Sequence, residues 1–293
     1  MVSLDEWRHR GAERRLLGRR IFVIDEPAMG DVGGTPILCL HGFPSASWDW
    51  SVIWEALRAS HRVLAFDFLG FGLSEKPPGH RYSIGEQADV AEAVAAEVGI
   101  DRYHVLAHDY GDTVAQELLA RQNAKPTSGW QSLSLLNGGL FPETHRARPV
   151  QKLLAGPLGP LLARMMSRRA LARSLTAIFG SQTPPSAHDI DVLWALLERE
   201  QGTRALPSLL GYIRERREHR ERWVAALRES RVPLLVVNGS ADPVSGAHMV
   251  ARFRAVVGPS AAKIVELAGI GHYPQIEAPA RVAEEILAFV DAI

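Results

Sequence analysis

The stretch Ala107-His108-Asp109-Tyr110-Gly111 constrains the fold most tightly. The run Tyr103-His104-Val105-Leu106-Ala107 reads as a buried strand, and a helix-like segment starts almost at once at residues 113–120. Asp109 is therefore expected on a sharp strand-to-helix elbow. Small residues at 107 and 111 suit such a turn, because larger side chains would collide as the backbone folds back. The side chain lifted onto the tip is a carboxylate.

This elbow sits within a longer rhythm. Apolar runs at 21–24, 36–40, 62–66, 132–136, 233–237 and 263–267 read as strands, several of them apolar at consecutive positions, as when helices cover both faces. Between them, residues 83–98 put Ile84, Ala88, Val90, Ala91, Val94 and Val98 mostly on one helical face. Further helices are expected at 3–17, around 48–57 and at 279–292, with turn chemistry at 29–34. Strands alternating with helices predict an α/β protein with a doubly wound, mostly parallel sheet and function at the carboxyl ends of its strands.

From about residue 141 to 228 the strands stop. Helical stretches at 150–165, 169–179, 192–199 and 208–228 cannot join the sheet and are expected to form a lid over the strand ends. The predicted division is a core of residues 1–140 and 229–293 with a helical cap of 141–228. Arg214, Arg216, Arg217, Arg220 and Arg222 read as a solvated face of that cap.

Composition narrows the function classes. A chain of 293 residues, 46% of them hydrophobic, can bury a sizeable core. Its 33 basic and 33 acidic residues cancel, so nothing global points to nucleic acid or an anionic membrane, and an arginine-rich middle is the one local imbalance. The single cysteine, Cys39, lies in an apolar run and reads as a small buried hydrophobe. With no apolar stretch near the N-terminus and no intrachain disulfide possible, the chain is expected to be cytoplasmic. Paired cysteines and a His-Glu-x-x-His pattern are lacking, so neither a metal nor another cofactor is expected. Gly70-Phe71-Gly72 lacks the third glycine and the immediate helix of a dinucleotide loop.

A carboxylate on an elbow suits attack at an sp3 carbon, where it displaces a leaving group and forms an alkyl ester with the enzyme. Water must then cleave that ester, which needs a base. His272, on the glycine-rich loop after the last strand, is the candidate, and Asp242, after the preceding strand, is the acid expected to orient it. The backbone N–H groups of Phe43 and Tyr110 are candidate donors to the tetrahedral intermediate. Asp112 and Glu143 are competing acids, one too close to the elbow and the other several residues past its strand. Each piece has a plainer reading: Asp109 as a helix cap, Asp242-Pro243 as a turn pair. It is their order, each at the end of an expected strand, that favours chemistry.

His41-Gly42-Phe43-Pro44, the run from Asp67 to Ser74, His108-Asp109-Tyr110-Gly111 and Gly271-His272-Tyr273-Pro274-Gln275 together resemble the α/β-hydrolase superfamily, in its aspartate-nucleophile branch of epoxide hydrolases and haloalkane dehalogenases. Residues 107–119, 137–146 and 222–227 further resemble the mesoderm-specific transcript protein family. The resemblance implies a hydrolase acting on a small apolar organic substrate with water. In epoxide hydrolases, lid tyrosines hold the epoxide oxygen. Tyr212 stands where one is expected, and no second tyrosine lies between 141 and 228. His41 is carried over with Tyr212 as a substrate or leaving-group residue. Dehalogenases cradle halide with a tryptophan after the nucleophile, where this chain has Tyr110, and often an asparagine where it has Phe43. Trp48, Trp50 and Trp194 are pocket candidates that also suit core packing. Fluoroacetate-type dehalogenases carry arginines after the nucleophile, which Tyr110-Gly111-Asp112 lacks. The expectation is an epoxide first, a haloalkane second and an ester third, with a catalytically silent scaffold as the reading from another class.

Overall fold

The computed structural model describes residues 2–30, 33–125 and 129–293; the Asp31-Val32 part of the expected first turn lies outside them. Eight strands form one sheet: β1 (Gly11–Leu16), β2 (Arg19–Glu26), β3 (Gly34–Leu40), β4 (His61–Phe66), β5 (Arg102–His108), β6 (Gly129–Leu136), β7 (Leu234–Gly239) and β8 (Lys263–Leu267). Their spatial order is β1-β2-β4-β3-β5-β6-β7-β8. β1 and β2 pair antiparallel, β2 joins β4 antiparallel, and every later pairing is parallel. The central strands carry the apolar runs because helices cover both faces: β7 is buried along its whole length.

Strand order places the site. From β3 the chain moves outward to β4, then crosses back to start β5 on the other side of β3. That reversal opens a crevice at the carboxyl ends of β3 and β5, the usual ligand position in open parallel sheets. Leu40 pairs with Ala107 at the end of the two strands, so the loop carrying Phe43 and the elbow carrying Asp109 emerge side by side.

Two local expectations fail. The helix expected over 3–17 ends at Arg10, capped by Ser3, and residues 11–16 are β1 instead. β1 is an edge strand with only Leu16 buried, so its sequence lacks the apolar alternation that marks a strand, and pairing with β2 decides its conformation. The helix expected around 48–57 divides into a 3-10 turn, Ser47–Trp50, and a short helix, Trp54–Arg58.

Between β6 and β7 the described chain is helical without strands. The expected helix 150–165 is two short ones, Pro149–Leu154 and Gly159–Arg164, separated at Gly156-Pro157. Arg168–Thr176 and Ala187–Glu198 follow; Leu206–Leu209, Tyr212–Glu218 and Arg220–Arg228 occupy the last expected stretch. No described helix is long and apolar enough to cross a membrane.

Candidate active site

Asp109 occupies the elbow between β5 and the helix Tyr110–Ala124, with φ 46° and ψ −98°. A non-glycine residue in that region costs on the order of 1–3 kcal/mol, held here by its surroundings. Its own N–H donates to the Leu136 carbonyl at 3.1 Å, and the Gly111 N–H donates to the His41 carbonyl at 3.0 Å. A Cβ on Gly111 would lie 2.2 Å from the Leu40 carbonyl oxygen, which explains the small residue there.

The Phe43 N–H donates to Asp109 Oδ2 at 3.1 Å. His272 Nε2 stands 3.8 Å from the same oxygen, a separation that one water can span. On its other side, His272 Nδ1 donates to Asp242 Oδ2 at 2.7 Å. Asp242 is itself caged: Asn137 Nδ2, the Ser245 N–H and the Ser245 hydroxyl donate to Oδ2, and the Val244 N–H donates to Oδ1. The structure thus brings Asp109, His272 and Asp242 into one chain of contacts beside Phe43. The Tyr110 N–H, first in its helix, has no acceptor within that helix.

Charge follows environment. Burial works against ionising Asp109, yet the imidazole of His272 close by, joined by the charge of Arg216, holds its carboxyl well below the usual range. Asp242 is likewise buried and likewise lowered, mainly through His272. Burial disfavours a charged His272, but the two carboxylates outweigh it and push the imidazole well above its ordinary value. Two neighbouring acids go the other way. Asp49 and Asp112 are raised by burial, Asp112 also by the charge of Asp109, and neither contacts His272. Glu143, the other competing acid, pairs with Arg220 and Arg252 near the surface.

Other expected residues fall in different places. Tyr212 is buried, its ring edge-on to Tyr110 at 5.1 Å and tilted against Phe43 at 6.1 Å. Its hydroxyl makes no hydrogen bond of ordinary length; the Gln151 side chain is the polar group approaching it. Burial, then the charge of Asp109, raise its pKa, so the phenol keeps its proton. His41 belongs to the floor and not to the wall: Nε2 accepts from the Phe68 N–H at 3.0 Å, leaving Nδ1–H to donate to the Gly42 carbonyl at 2.8 Å. Both nitrogens are thereby spent on backbone, and burial keeps the ring neutral. A substrate role for His41 does not fit that arrangement. Trp48 and Trp50 are core residues.

Arg216 overturns an expectation outright. The sequence predicts a solvated arginine face, and Arg214 and Arg217 are exposed, but Arg216 is only 2% exposed. Its Nη2 donates to the Asp109 main-chain carbonyl at 3.2 Å and lies 3.8 Å from Oδ1, Nε donates to Thr113 Oγ1 at 2.8 Å, and the guanidinium sits 4.5 Å from the Tyr212 ring centre. Nothing in the run of arginines distinguishes it; only its place one helical turn after Tyr212 puts both on the same face. Two more residues escaped the sequence reading. Asn137, at φ 46° after β6, binds both the N–H and the carbonyl of Gly239 and steadies Asp242. Glu277 gathers the N–H groups of Gly180, Gly271 and Tyr273 and the Thr183 hydroxyl, tying the His272 loop to the helical insertion.

Above the pair lies a cavity of about 70 Å³ bounded by Asp109, His272, Phe43, Pro44 and Val244 from the sheet side and by Val150, Leu154, Met166, Leu171, Leu175, Ile178, Leu197 and Leu206 from the insertion. Apart from Asp109 and His272, the polar side chains in its wall are Arg148, Gln151 and Ser174. The arrangement supplies an ionised carboxylate, a buffered imidazole and a backbone donor in an apolar chamber.

This fold and elbow define a class. Residues 37–285 match the model of the "Alpha/beta hydrolase family", and the chain belongs to that family. It is 42% identical to the mesoderm-specific transcript homolog protein of Bos taurus over 299 aligned residues, covering 99% of this chain and 88% of that protein. It is 40% identical over 290 residues to LipZ of Mycobacterium tuberculosis, a protein named as a hydrolase, with 98% of each covered. Among solved structures, ligand-free epoxide hydrolase CorEH superposes with a TM-score of 0.77 at 20% identity, covering 96% of this chain and 98% of that one, a likeness of fold.

Proposed function

We propose that the chain is a hydrolase with an aspartate nucleophile, opening small apolar epoxides to diols beneath a helical cap of residues 141–228. The observation that carries this reading is the array Asp242–His272–Asp109: an ionised carboxylate on an elbow, 3.8 Å from an imidazole whose far nitrogen is held at 2.7 Å by a second acid. Asp109 attacks an epoxide carbon, the carbon–oxygen bond breaks and the released oxygen takes the Tyr212 proton. The tyrosinate is refilled from the imidazolium of His272, which leaves that ring neutral.

Loss of charge at Asp109 is what prepares the second step. The closeness and the charge of Asp109 contribute to raising His272. Once Asp109 is an ester those contributions vanish, and the imidazole becomes a base able to take a proton from water. Hydroxide adds to the Asp109 carbonyl, the N–H groups of Phe43 and Tyr110 receive the oxyanion, and collapse expels the diol oxygen, which takes a proton from His272. The regenerated Asp109 carboxyl then returns its proton to His272. Arg216 keeps Asp109 anionic before attack.

An oxygen leaving group is favoured over halide by the Tyr212 hydroxyl, which makes no hydrogen bond of ordinary length of its own and keeps its proton, whereas the Trp48 indole is spent on the Val2 carbonyl at 3.1 Å. Single turnover in 18O-water tests the ester route. Attack of water at the Asp109 carbonyl puts the first label into Asp109 and none into the diol, whereas direct attack of water on the epoxide labels the diol and overturns the proposal.

A further inference from the structure

Zero net charge conceals a segregated one. Residues 144–188 contain seven arginines and lysines and no acid, leaving 26 bases against 33 acids in the rest of the chain. Among the described residues only Arg168 of these seven has a carboxylate within ion-pair distance, Asp191. The helices Pro149–Leu154 and Gly159–Arg164 lie in this segment and also expose large apolar side chains: Leu153 at 61%, Leu158 at 67%, Leu161 at 57% and Met165 at 70%. Leu158, Leu161 and Met165 are spaced by three and four residues, so they share one face. On the inner side, Val150, Leu154 and Met166 wall the cavity above Asp109.

Apolar side chains grouped on one helical face and ringed by unpaired cations match the chemistry of an anionic lipid surface: the former enter the boundary between headgroups and acyl chains, and the latter meet phosphates. We infer that this outer face of residues 149–169 docks on anionic membranes, with Leu153, Leu158, Leu161 and Met165 inserted and Lys152, Arg164 and Arg169 on the headgroups. A charge balance taken over the whole chain does not show this segment, because the surplus of acids elsewhere cancels it. Because the first of these helices and Met166, just past the second, also wall the cavity, a lipid-dissolved substrate reaches Asp109 between them. That last clause rests on the reading of the site given above; the docking does not.

Flotation of the full chain with vesicles of phosphatidylcholine alone, or with one third phosphatidylglycerol, tests docking without any substrate. Each base near an anionic leaflet is worth roughly fivefold in binding. Replacing Arg164→Gln and Arg169→Gln together should therefore weaken binding to the anionic vesicles about twentyfold while leaving the melting temperature in place, and salt should weaken the parent protein in the same way. Leu161→Ser with Met165→Ser should lower binding at every salt concentration. Equal flotation with both vesicle types, or binding indifferent to both pairs of substitutions, overturns the inference. So does a patch that buries itself in a second copy, seen as a dimer that sediments as a monomer only after Leu161→Ser with Met165→Ser and that never floats.

Discussion

The sheet side and the helical side of the cavity make their contributions by different physics. On the sheet side, Asp109, His272 and Asp242 stand at the ends of β5, β8 and β7, and their loops are fixed by backbone hydrogen bonds to Leu136, Ile178 and Gly239. On the helical side, one buried charge, Arg216, and one tyrosine reach across to the elbow, and the cavity wall is largely interchangeable aliphatic surface broken by Arg148, Gln151 and Ser174. On the proposed reading, chemistry sits where the backbone is over-determined, and fit to a substrate sits where side chains can be exchanged at modest cost.

The largest effect that sharpens this contrast is expected at Asp109. Asp109→Asn should reduce turnover by about four orders of magnitude with the fold intact. It should also lower the His272 titration point, followed by the imidazole proton resonances, because one of the two carboxylates raising it is gone. An unmoved His272 would break the coupling on which the second step depends.

Arg216 tests whether the helical side does more than enclose. In Arg216→Met, kcat/KM should fall by roughly a hundredfold. Since Arg216 is one of the causes lowering Asp109, the acid limb of the pH–rate profile should move up; Arg216→Lys should restore part of both. A fall in rate with an unmoved acid limb would reduce Arg216 to packing.

Stability should carry the same signature. His272 is raised in the folded protein, so its contribution is complete below the unfolded value of about 6.5 and fades as pH climbs through the higher folded value. Asp109 and Asp242 are lowered, so theirs is complete above the unfolded value of about 3.9 and fades as pH falls through the folded value. Urea melts of the parent protein and His272→Gln across that range should converge at high pH.

Smaller effects separate the two sides further. Asn137→Ala takes away the acceptor of the Gly239 N–H in the interior and one of the donors to Asp242, and should cost about 1–3 kcal/mol by denaturant unfolding. Leu153→Ser, on the exposed outer face of the insertion, should change stability by no more than about 0.5 kcal/mol.

Much of the sheet side was legible in the sequence. Strands buried on both faces announce themselves as apolar runs, and the elbow, the His272 loop and the Asp242 turn each follow one directly. β1 was not legible, since an edge strand facing solvent needs no apolar alternation and only its partner β2 defines it. Arg216 and Glu277 escaped for a related reason. A buried charge looks like any other charge until the groups that surround it, here Thr113, Tyr212 and the Asp109 carbonyl, are assembled from distant segments. His41 misled in the opposite sense: the resemblance carried it over as a substrate or leaving-group residue, while its two nitrogens hold the loop itself.

The central claim is a covalent ester on Asp109. Intact-mass measurement of His272→Gln after exposure to small epoxides tests it directly, because removing the base leaves the ester no route to hydrolysis. A mass gain equal to the whole epoxide, mapped to Asp109 by peptide sequencing and absent when Asp109→Asn is added, is the predicted result. Folded protein that gains no mass from any epoxide in a broad panel would contradict the account.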